Sequence, residues 1–432
     1  MNENIQKNTY SRILSIDRLR GFAVFVMVLF QLSKNFDNFK ILSRISVHSP
    51  NSEAIYLLPN FALADTNVSV FLLAIGLTYV LSFNKRVKLL GRKKATTHFI
   101  TRYLSITGTG ILLHGIEAAL NGTFNLYSYF VLSMLMLLAF LYVFSWVCKK
   151  SKREKEYNIL KRSICIIFSC SGIVGIIVAA INFIFLCMGK TNTSFNYCAT
   201  LEHIGAAGIL ALPFVAFSKL NSTSKRFAAG FVLLLIYGVF HQSDLPTDYF
   251  PNNMLLLDVV ADGGFFAVLA WGAQLLIFTC FADLYYKSRK SYIYGVLIFS
   301  IPVIGIIAEM LYKAPKNIES WAGLCNSFLS VNKGSVSPSY IMLTTWICLL
   351  IFLIFDLFNK FNFKFDFLTW WGKNPLVMYL LDFLVVGGLC MIFEGHFAYV
   401  PSVIGFLECL AIMSAMTFIA YKMDRKQKIY KF

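Results

Sequence analysis

Polar residues at helical spacing interrupt an apolar stretch near the start of the chain, SIDRLRGFAVFVMVLFQ. Asp17 and Arg20 are three residues apart, and Gln31 follows about three turns later, a rise of about 16 Å along a helix. These residues therefore share one helix face with Val24 and Met27. An ionisable side chain inside a membrane costs about 2.5–3.5 kcal/mol on insertion scales, which makes it a functional candidate. The face suits a ligand that lies along the helix with its polar end at the inner side.

Two interpretations of this stretch stay open. Gly21 allows a second backbone to come close beside Arg20, as small residues do between membrane helices, and this fits a polar face directed into a helix bundle. In the alternative, Arg18 and Arg20 extend towards the membrane surface and Gln31 is an isolated polar residue. The two interpretations differ in whether the charged groups lie inside the protein.

The rest of the chain supplies the helices that must position these groups. Its 432 residues are 57% hydrophobic and 14% charged, whereas soluble domains carry about 25% charged residues. Apolar runs typical of membrane helices recur throughout. We predict an all-α polytopic membrane bundle that forms a single domain over 1–432, with twelve spans, or eleven if the eighth begins as a broken piece. The predicted spans are 13–33, 62–84, 97–116, 124–148, 163–188, 200–218, 227–242, 254–285, 291–312, 339–358, 368–392 and 400–421.

The positive charge of the chain follows the predicted membrane. If the N-terminus is inside and the spans alternate, 32 of the 39 Lys and Arg residues fall in inner segments and 7 in outer loops. This bias predicts that both termini are cytoplasmic, and it explains the net charge of +17 without a nucleic-acid partner. No cleavable signal peptide is expected, because a full-length span begins at Ser15 with no small-residue cleavage site after it.

Ionisable residues cluster on the outer side of the predicted membrane. Five of the six histidines lie there, and a structural contact with a neighbouring helix explains any single one equally well; the clustering predicts polar chemistry that faces outside. The spacing of metal ligands is absent from the sequence, so no metal cofactor is expected. The outer histidines and acids are His48, His114, His203, His241, His396, Asp65, Glu117, Glu202, Asp258, Asp262 and Glu309.

Five motifs together resemble one known family. They are RILSIDRLRGFAVFVMVLFQ, ADTNVSVFLLAIGLTYVLSFNKR, LEHIGAAGILA, DGGFFAVLAWGAQ and GKNPLVMYLL, within the core segments 12–84, 200–218, 254–285 and 368–392. In this order they resemble the heparan-α-glucosaminide N-acetyltransferase family, which is related to the acyltransferase-3 superfamily. The matching positions are Ser15, Asp17, Arg20, Gly21, Met27, Val28, Asp65, Gly76, Gly372, Asn374 and Tyr379.

The resemblance implies a membrane enzyme that moves an acetyl group from cytosolic acetyl-CoA to the amine of a sugar on the far side. Such a transfer needs a base for the attacking amine and a hydrogen-bond donor for the thioester oxygen. Where the family has an Asn and a His, this chain has Gln31 and Ile55, and the His nearest along the chain is His48. The family's Arg in the third motif is His203 here. Another acceptor, including a hydroxyl, is therefore left open.

The resemblance also implies roles for single residues. We expect His48 to be the general base, Gln31 to bind the thioester carbonyl and Asp65 to orient the imidazole, with His203 as the rival base. Arg92 and Lys93 belong to a basic segment, NKRVKLLGRKKATTHFITR, that suits the phosphates of CoA, although its charges equally fit ordinary membrane anchoring. The expected donor-binding residues are Asp17, Arg20, Arg92, Lys93 and Asn374.

Two other functions stay open on the sequence alone. A transporter of a small polar solute also holds polar residues at mid-depth in the membrane. A family member that has lost catalysis would explain the absence of the loop His. The expected partners are membrane lipid, acetyl-CoA and an extracytoplasmic sugar or glycan, in a bacterial plasma membrane; whether the chain forms a homo-oligomer is left open.

Overall fold

The structure is a computed structural model, and it describes residues 13–33, 44, 56–58, 61–120, 126–151, 153–187, 200–242, 264, 266–313, 331–361, 363, 366–383, 387–388 and 400–426. Within these ranges the chain is almost entirely α-helical. Seven of the described helices are long and apolar enough to cross a membrane. The predicted all-α polytopic membrane bundle is confirmed.

Thirteen α-helices occur in the described residues. They are α1 (Leu14–Ser33), α2 (Asn67–Leu90), α3 (Arg92–Leu120), α4 (Leu126–Lys150), α5 (Glu154–Cys187), α6 (Thr200–Ala216), α7 (Thr223–Gln242), α8 (Ala267–Lys287), α9 (Arg289–Lys313), α10 (Pro338–Lys360), α11 (Asp366–Lys373), α12 (Pro375–Leu381) and α13 (Ser402–Arg425). A short antiparallel hairpin, β1 (Tyr56–Leu58) and β2 (Phe61–Ala62), leads into a 3-10 turn, Leu63–Thr66, before α2.

Each predicted span contains at least one of these helices, but the eleventh span differs from the prediction. The sequence predicts one helix over 368–392, whereas the structure divides this segment into α11 and α12 at Asn374. Pro375 causes the break, because a proline disfavours the helical conformation of the residue before it. Asn374 accordingly has φ −133° and ψ 56°. The first part of the eighth predicted span, 254–263, lies outside the described residues.

The described helices group into two compact units. Unit 1 holds α1, the part of α10 from Ile347 onward, α11, α12 and α13. Unit 2 holds the hairpin, helices α2 to α9, and the part of α10 up to Trp346. That the chain acts as a single domain over 1–432 stays a prediction.

In unit 1 the core forms where α1 packs against α11 and α13. Phe25 of α1 makes edge contacts with Phe367 and Trp371, at ring-centroid distances of 5.5 and 5.4 Å. The indole N–H of Trp371 donates a hydrogen bond of 3.1 Å to the Thr417 hydroxyl of α13. Aromatic packing and one partly buried hydrogen bond therefore join these three helices.

In unit 2 the core surrounds α3 and α8. Fourteen residues of α8 are buried, among them every residue from Ala270 to Ala282, so this part of the helix is enclosed by protein on every side. The Tyr79 hydroxyl of α2 donates a hydrogen bond of 2.6 Å to the Gly208 carbonyl of α6. Arg226 of α7 forms an ion pair with Asp283 near the end of α8, and this pair joins two segments that the charge pattern assigns to the inner side.

The predicted orientation can be tested at two exposed positions. A Glu156→Cys variant, at the inner end of α5, should resist a membrane-impermeant maleimide added to intact cells. A Tyr312→Cys variant, at the outer end of α9 where the side chain is 90% exposed, should label above the background of the parent protein. Labelling of Glu156→Cys without labelling of Tyr312→Cys would show that the orientation is the opposite of the predicted one.

Candidate functional site

The first turns of α1 carry the predicted donor-binding pair. Asp17 is buried and Arg20 is partly exposed, and the Arg20 Nη1 atom lies 3.5 Å from the Asp17 Oδ1 atom. Their spacing of three residues places them on one face of α1, as the sequence predicts. Burial of the carboxylate beside a guanidinium keeps the negative charge compensated inside the protein.

A close contact between two helix backbones fixes the position of this pair. A Cβ atom added to Gly21 would overlap the Leu368 carbonyl oxygen of α11, and one added to Gly372 would overlap the Asp17 carbonyl oxygen. Only glycine allows the backbones of α1 and α11 to come this close. The glycines therefore set the distance between α11 and the Asp17 backbone.

Arg18, next to the pair, does not extend out of the protein. Its side chain is only 3% exposed, so the alternative in which both arginines reach towards the membrane surface is wrong for Arg18. The sequence assigned it no role, because it lies outside the face shared by Asp17 and Arg20.

The remaining predicted residues of unit 1 are only partly described. Asn374 is buried at the N-cap of α12, directly before Pro375 at the first helical position. Gln31 lies on α1, near its end, but its side chain lies outside the described residues. His48 lies wholly outside them. Their predicted roles at the thioester and as the base stay predictions.

Asp65 in unit 2 fixes the turn that leads into α2. Its Oδ2 atom accepts a hydrogen bond of 2.8 Å from the Ala62 N–H group, and the residue is almost completely buried. The Tyr340 hydroxyl of α10 donates a hydrogen bond to the Asp65 carbonyl oxygen. Asp65 thus has a clear structural function, and at least one of its carboxylate oxygens is engaged by the backbone.

His203 is enclosed within the first turns of α6. Its side chain is 0% exposed, and its Nε2 atom lies 3.0 Å from the Gly264 carbonyl oxygen. A carbonyl oxygen only accepts hydrogen bonds, so Nε2 must carry the hydrogen. In the neutral ring Nδ1 is then the basic nitrogen. Direct proton transfer to a substrate would require a movement that opens this site.

Aromatic rings connect the Asp65 turn to His203 inside unit 2. The ring of Tyr340, which holds the Asp65 carbonyl, lies perpendicular to that of Trp271 with centroids 6.1 Å apart. Trp271 in turn lies 6.4 Å from the His203 imidazole. The structure therefore brings these two predicted residues into one buried aromatic cluster, which the sequence did not reveal.

A layer of polar side chains lies one helical turn beyond this cluster, around Gln274 of α8. It too was not predicted from the sequence. The Gln274 side-chain amide donates hydrogen bonds of 3.0 Å to the hydroxyls of Ser69 and Thr344, and it lies 3.2 Å from that of Thr345. Ser69 follows Asp65 by four residues, and Thr344 follows Tyr340 by four residues. The polar layer therefore stacks on the aromatic cluster, one turn along the same chain segments. The sequence signal was the single Gln within the apolar motif DGGFFAVLAWGAQ.

The predicted basic residues Arg92 and Lys93 lie at the start of α3. Both are exposed and follow Gly91, which ends α2 with a φ of +80°. They are free to meet a soluble anion, and they suit membrane anchoring equally well. Among the described residues no group of three His, Cys, Asp or Glu side chains is arranged to hold a metal ion.

The fold and its buried polar groups define the class as an integral membrane protein of many helices with polar layers inside. Residues 12–145 match the family model described as heparan-alpha-glucosaminide N-acetyltransferase, catalytic. The match covers about a third of the chain and confirms the resemblance in the first two of the five motifs. It supports a membrane acetyltransferase-like family, and the other three motifs lie outside it. It includes Asp17, Arg20 and Asp65 but ends before His203 and Asn374. A comparison with curated proteins finds no match.

Proposed function

We propose that the protein transfers an acetyl group from cytosolic acetyl-CoA to an amine or hydroxyl group of a sugar or glycan on the extracytoplasmic side. The observation that carries the proposal is the family match over residues 12–145. The matched segment contains the buried carboxylate of Asp17 beside Arg20 and the buried Asp65 turn. The Asp65 turn leads into α2, one of the seven helices that are long and apolar enough to cross a membrane, and Asp17 and Arg20 lie on the 20-residue helix α1.

The donor would bind at the inner end of α1. Arg20 is partly exposed there, and its guanidinium suits a phosphate oxygen of CoA. Its ion pair with Asp17 holds the side chain in place, so less conformational entropy is lost when the ligand binds. Asn374, Arg92 and Lys93 complete the proposed donor-binding set.

The acetyl group would meet the acceptor near the outer end of α1. His48 would take the proton of the attacking amine or hydroxyl, and the Gln31 amide would donate a hydrogen bond to the thioester oxygen. The burial of His203 supports His48 over its rival, because a base must come within hydrogen-bond distance of the proton that it removes. Asp65 would act from the turn where the structure holds it.

The test uses the purified chain in sealed liposomes. Acetyl-CoA with a labelled acetyl group is enclosed inside, and glucosamine is supplied outside. We expect labelled N-acetylglucosamine to appear outside, at a rate well above that of protein-free liposomes. Because the protein inserts in both directions, a second preparation with the two substrates exchanged measures the opposite orientation. No labelled product in either preparation, with a panel of amino and hydroxyl sugars, would contradict the proposal.

One observation favours a second candidate, a transporter of a small polar solute. The break between α11 and α12 leaves a discontinuous helix at Asn374, and discontinuous membrane helices form solute sites in many transporters. The liposome assay separates the two functions. A transporter would move unmodified labelled glucosamine across the membrane without acetyl-CoA, whereas the proposed enzyme requires the donor.

A further inference from the structure

Arg18 is a buried cation with unsatisfied hydrogen-bond donors. Arg18 lies on the second turn of α1, and only 3% of the residue is exposed. Its Nε and Nη1 atoms have no hydrogen-bond partner, and within the described residues the guanidinium forms no ion pair. The neighbouring carboxylate, Asp17, is paired with Arg20. The positive charge of Arg18 is therefore left without a counter-charge from these helices.

A second buried arginine shows how the chain normally compensates such a charge. Arg226 is 2% exposed. Its Nε atom also has no hydrogen-bond partner, but its guanidinium forms an ion pair with Asp283 and donates to the Thr279 carbonyl oxygen. An ion moved out of water without a partner is strongly destabilising. Arg226 thus fits a purely structural role, whereas Arg18 lacks the acceptor that this role requires.

Two further unsatisfied donors lie on α1 itself and on α11, the helix that packs against it. The Ser15 hydroxyl, three residues earlier and on the same side of α1, is fully buried and has no hydrogen-bond partner. The Thr369 hydroxyl is in the same state on α11, beside Leu368, whose carbonyl group faces Gly21. A guanidinium and two hydroxyls can all donate to one acceptor. Each of these groups needs an acceptor, and the several oxygens of an anion suit a guanidinium and a hydroxyl alike.

We propose that Arg18 binds a phosphate group of a ligand that enters unit 1 at the first turns of α1. The planar guanidinium matches phosphate with two parallel N–H groups, and such charge-assisted bonds are among the strongest in proteins. The inference rests on the proposed function in one respect: the phosphates of CoA are the expected source. A phospholipid headgroup offers the same chemistry, so the experiment distinguishes the two.

Thermal unfolding of the full chain in an uncharged detergent tests the proposal. Wild type, Arg18→Gln and the matched control Arg226→Gln are compared without ligand and with two pairs of probes that differ in phosphate. The pairs are CoA against pantetheine, and phosphatidylglycerol against diacylglycerol. A ligand that binds only the folded protein raises the unfolding midpoint, and the same titrations give the dissociation constants.

We expect opposite responses from the two arginines. Without ligand, Arg226→Gln should unfold at a lower temperature than wild type, because it removes the counter-charge of Asp283, which keeps the hydrogen bond from the Thr223 hydroxyl. Arg18→Gln should unfold at the same or a higher temperature, because it removes an uncompensated charge. With the phosphate-bearing probe, Arg18→Gln should bind about 10- to 100-fold more weakly than wild type, the size expected when a charged hydrogen bond is lost.

Each outcome decides the inference. Dependence on Arg18 with CoA alone assigns the donor as the source of phosphate, and dependence with phosphatidylglycerol alone assigns a lipid. Equal affinities in wild type and Arg18→Gln for both phosphate probes overturn the proposal. So does an Arg18→Gln protein that fails to fold or is as unstable as Arg226→Gln. Arg18-dependent CoA binding without acetyl transfer would remove the proposed function alone, and transfer with an unchanged KM in Arg18→Gln would remove this inference alone.

Discussion

Replacement of His48 by Ala is expected to reduce the rate of acetyl transfer about 100-fold or more, the size typical of a lost general base. A neutral imidazole, with an ordinary pKa of about 6.5, can accept a proton near pH 7. In the sequence, His48 lies between Gln31 of α1 and the Asp65 turn. The measurement is the initial rate of labelled acetyl transfer in liposomes at saturating acetyl-CoA.

Two other histidine variants test whether the loss of activity is specific to His48. His203→Ala should lower the unfolding temperature, because it removes the hydrogen bond to Gly264 and leaves space beside Trp271. Its rate per folded molecule should stay within several-fold of wild type. His98→Ala, on the predicted inner side, should keep both rate and stability. Full activity in His48→Ala would remove the assignment, and a loss confined to His203→Ala would move the base to that residue.

The sequence predicted the helices well because hydropathy and length determine which segments can cross a membrane. Helix α1, for example, begins and ends within a residue of the predicted span 13–33. The break at Asn374 was missed because the surrounding segment is apolar on both sides of Pro375. A proline inside a membrane helix is often tolerated, so the pattern alone does not show whether the helix continues.

Less of the candidate site than of the fold could be predicted from the sequence. Spacing along α1 predicted the Asp17–Arg20 pair, because residues three apart are neighbours on a helix. It did not reveal the cluster of Tyr340, Trp271 and His203, whose members are far apart in the chain and meet only through packing. The burial of Arg18 was unpredictable for the same reason: a basic residue near the end of a span can equally reach towards water.

The largest effect on stability is expected where α1 meets α11. A Gly21→Ala substitution would place a methyl group on the Leu368 carbonyl oxygen and 3.0 Å from the Gly372 amide nitrogen. Both neighbours are backbone atoms, so rotation of a side chain cannot relieve the overlap. We expect a loss of stability of about 1–3 kcal/mol or more from overpacking. The unfolding midpoint of the full chain measures it, and Gly372→Ala should behave alike because it meets the Asp17 carbonyl.

Gly305→Ala is the matched control for the α1–α11 contact. Gly305 lies within α9, and no atom other than those of its own helix lies within 4 Å of an added Cβ. Alanine is favoured over glycine inside a helix by about 1 kcal/mol, so this variant should be as stable as wild type or more stable. Gly21→Ala gains the same helix stabilisation from alanine. Its expected loss of stability therefore requires that the overlap with the Leu368 carbonyl oxygen costs more than this gain. If Gly21→Ala proves as stable as Gly305→Ala, the two backbones are not in contact. The position of the Asp17 backbone against α11, on which the proposed donor binding depends, would then need another cause.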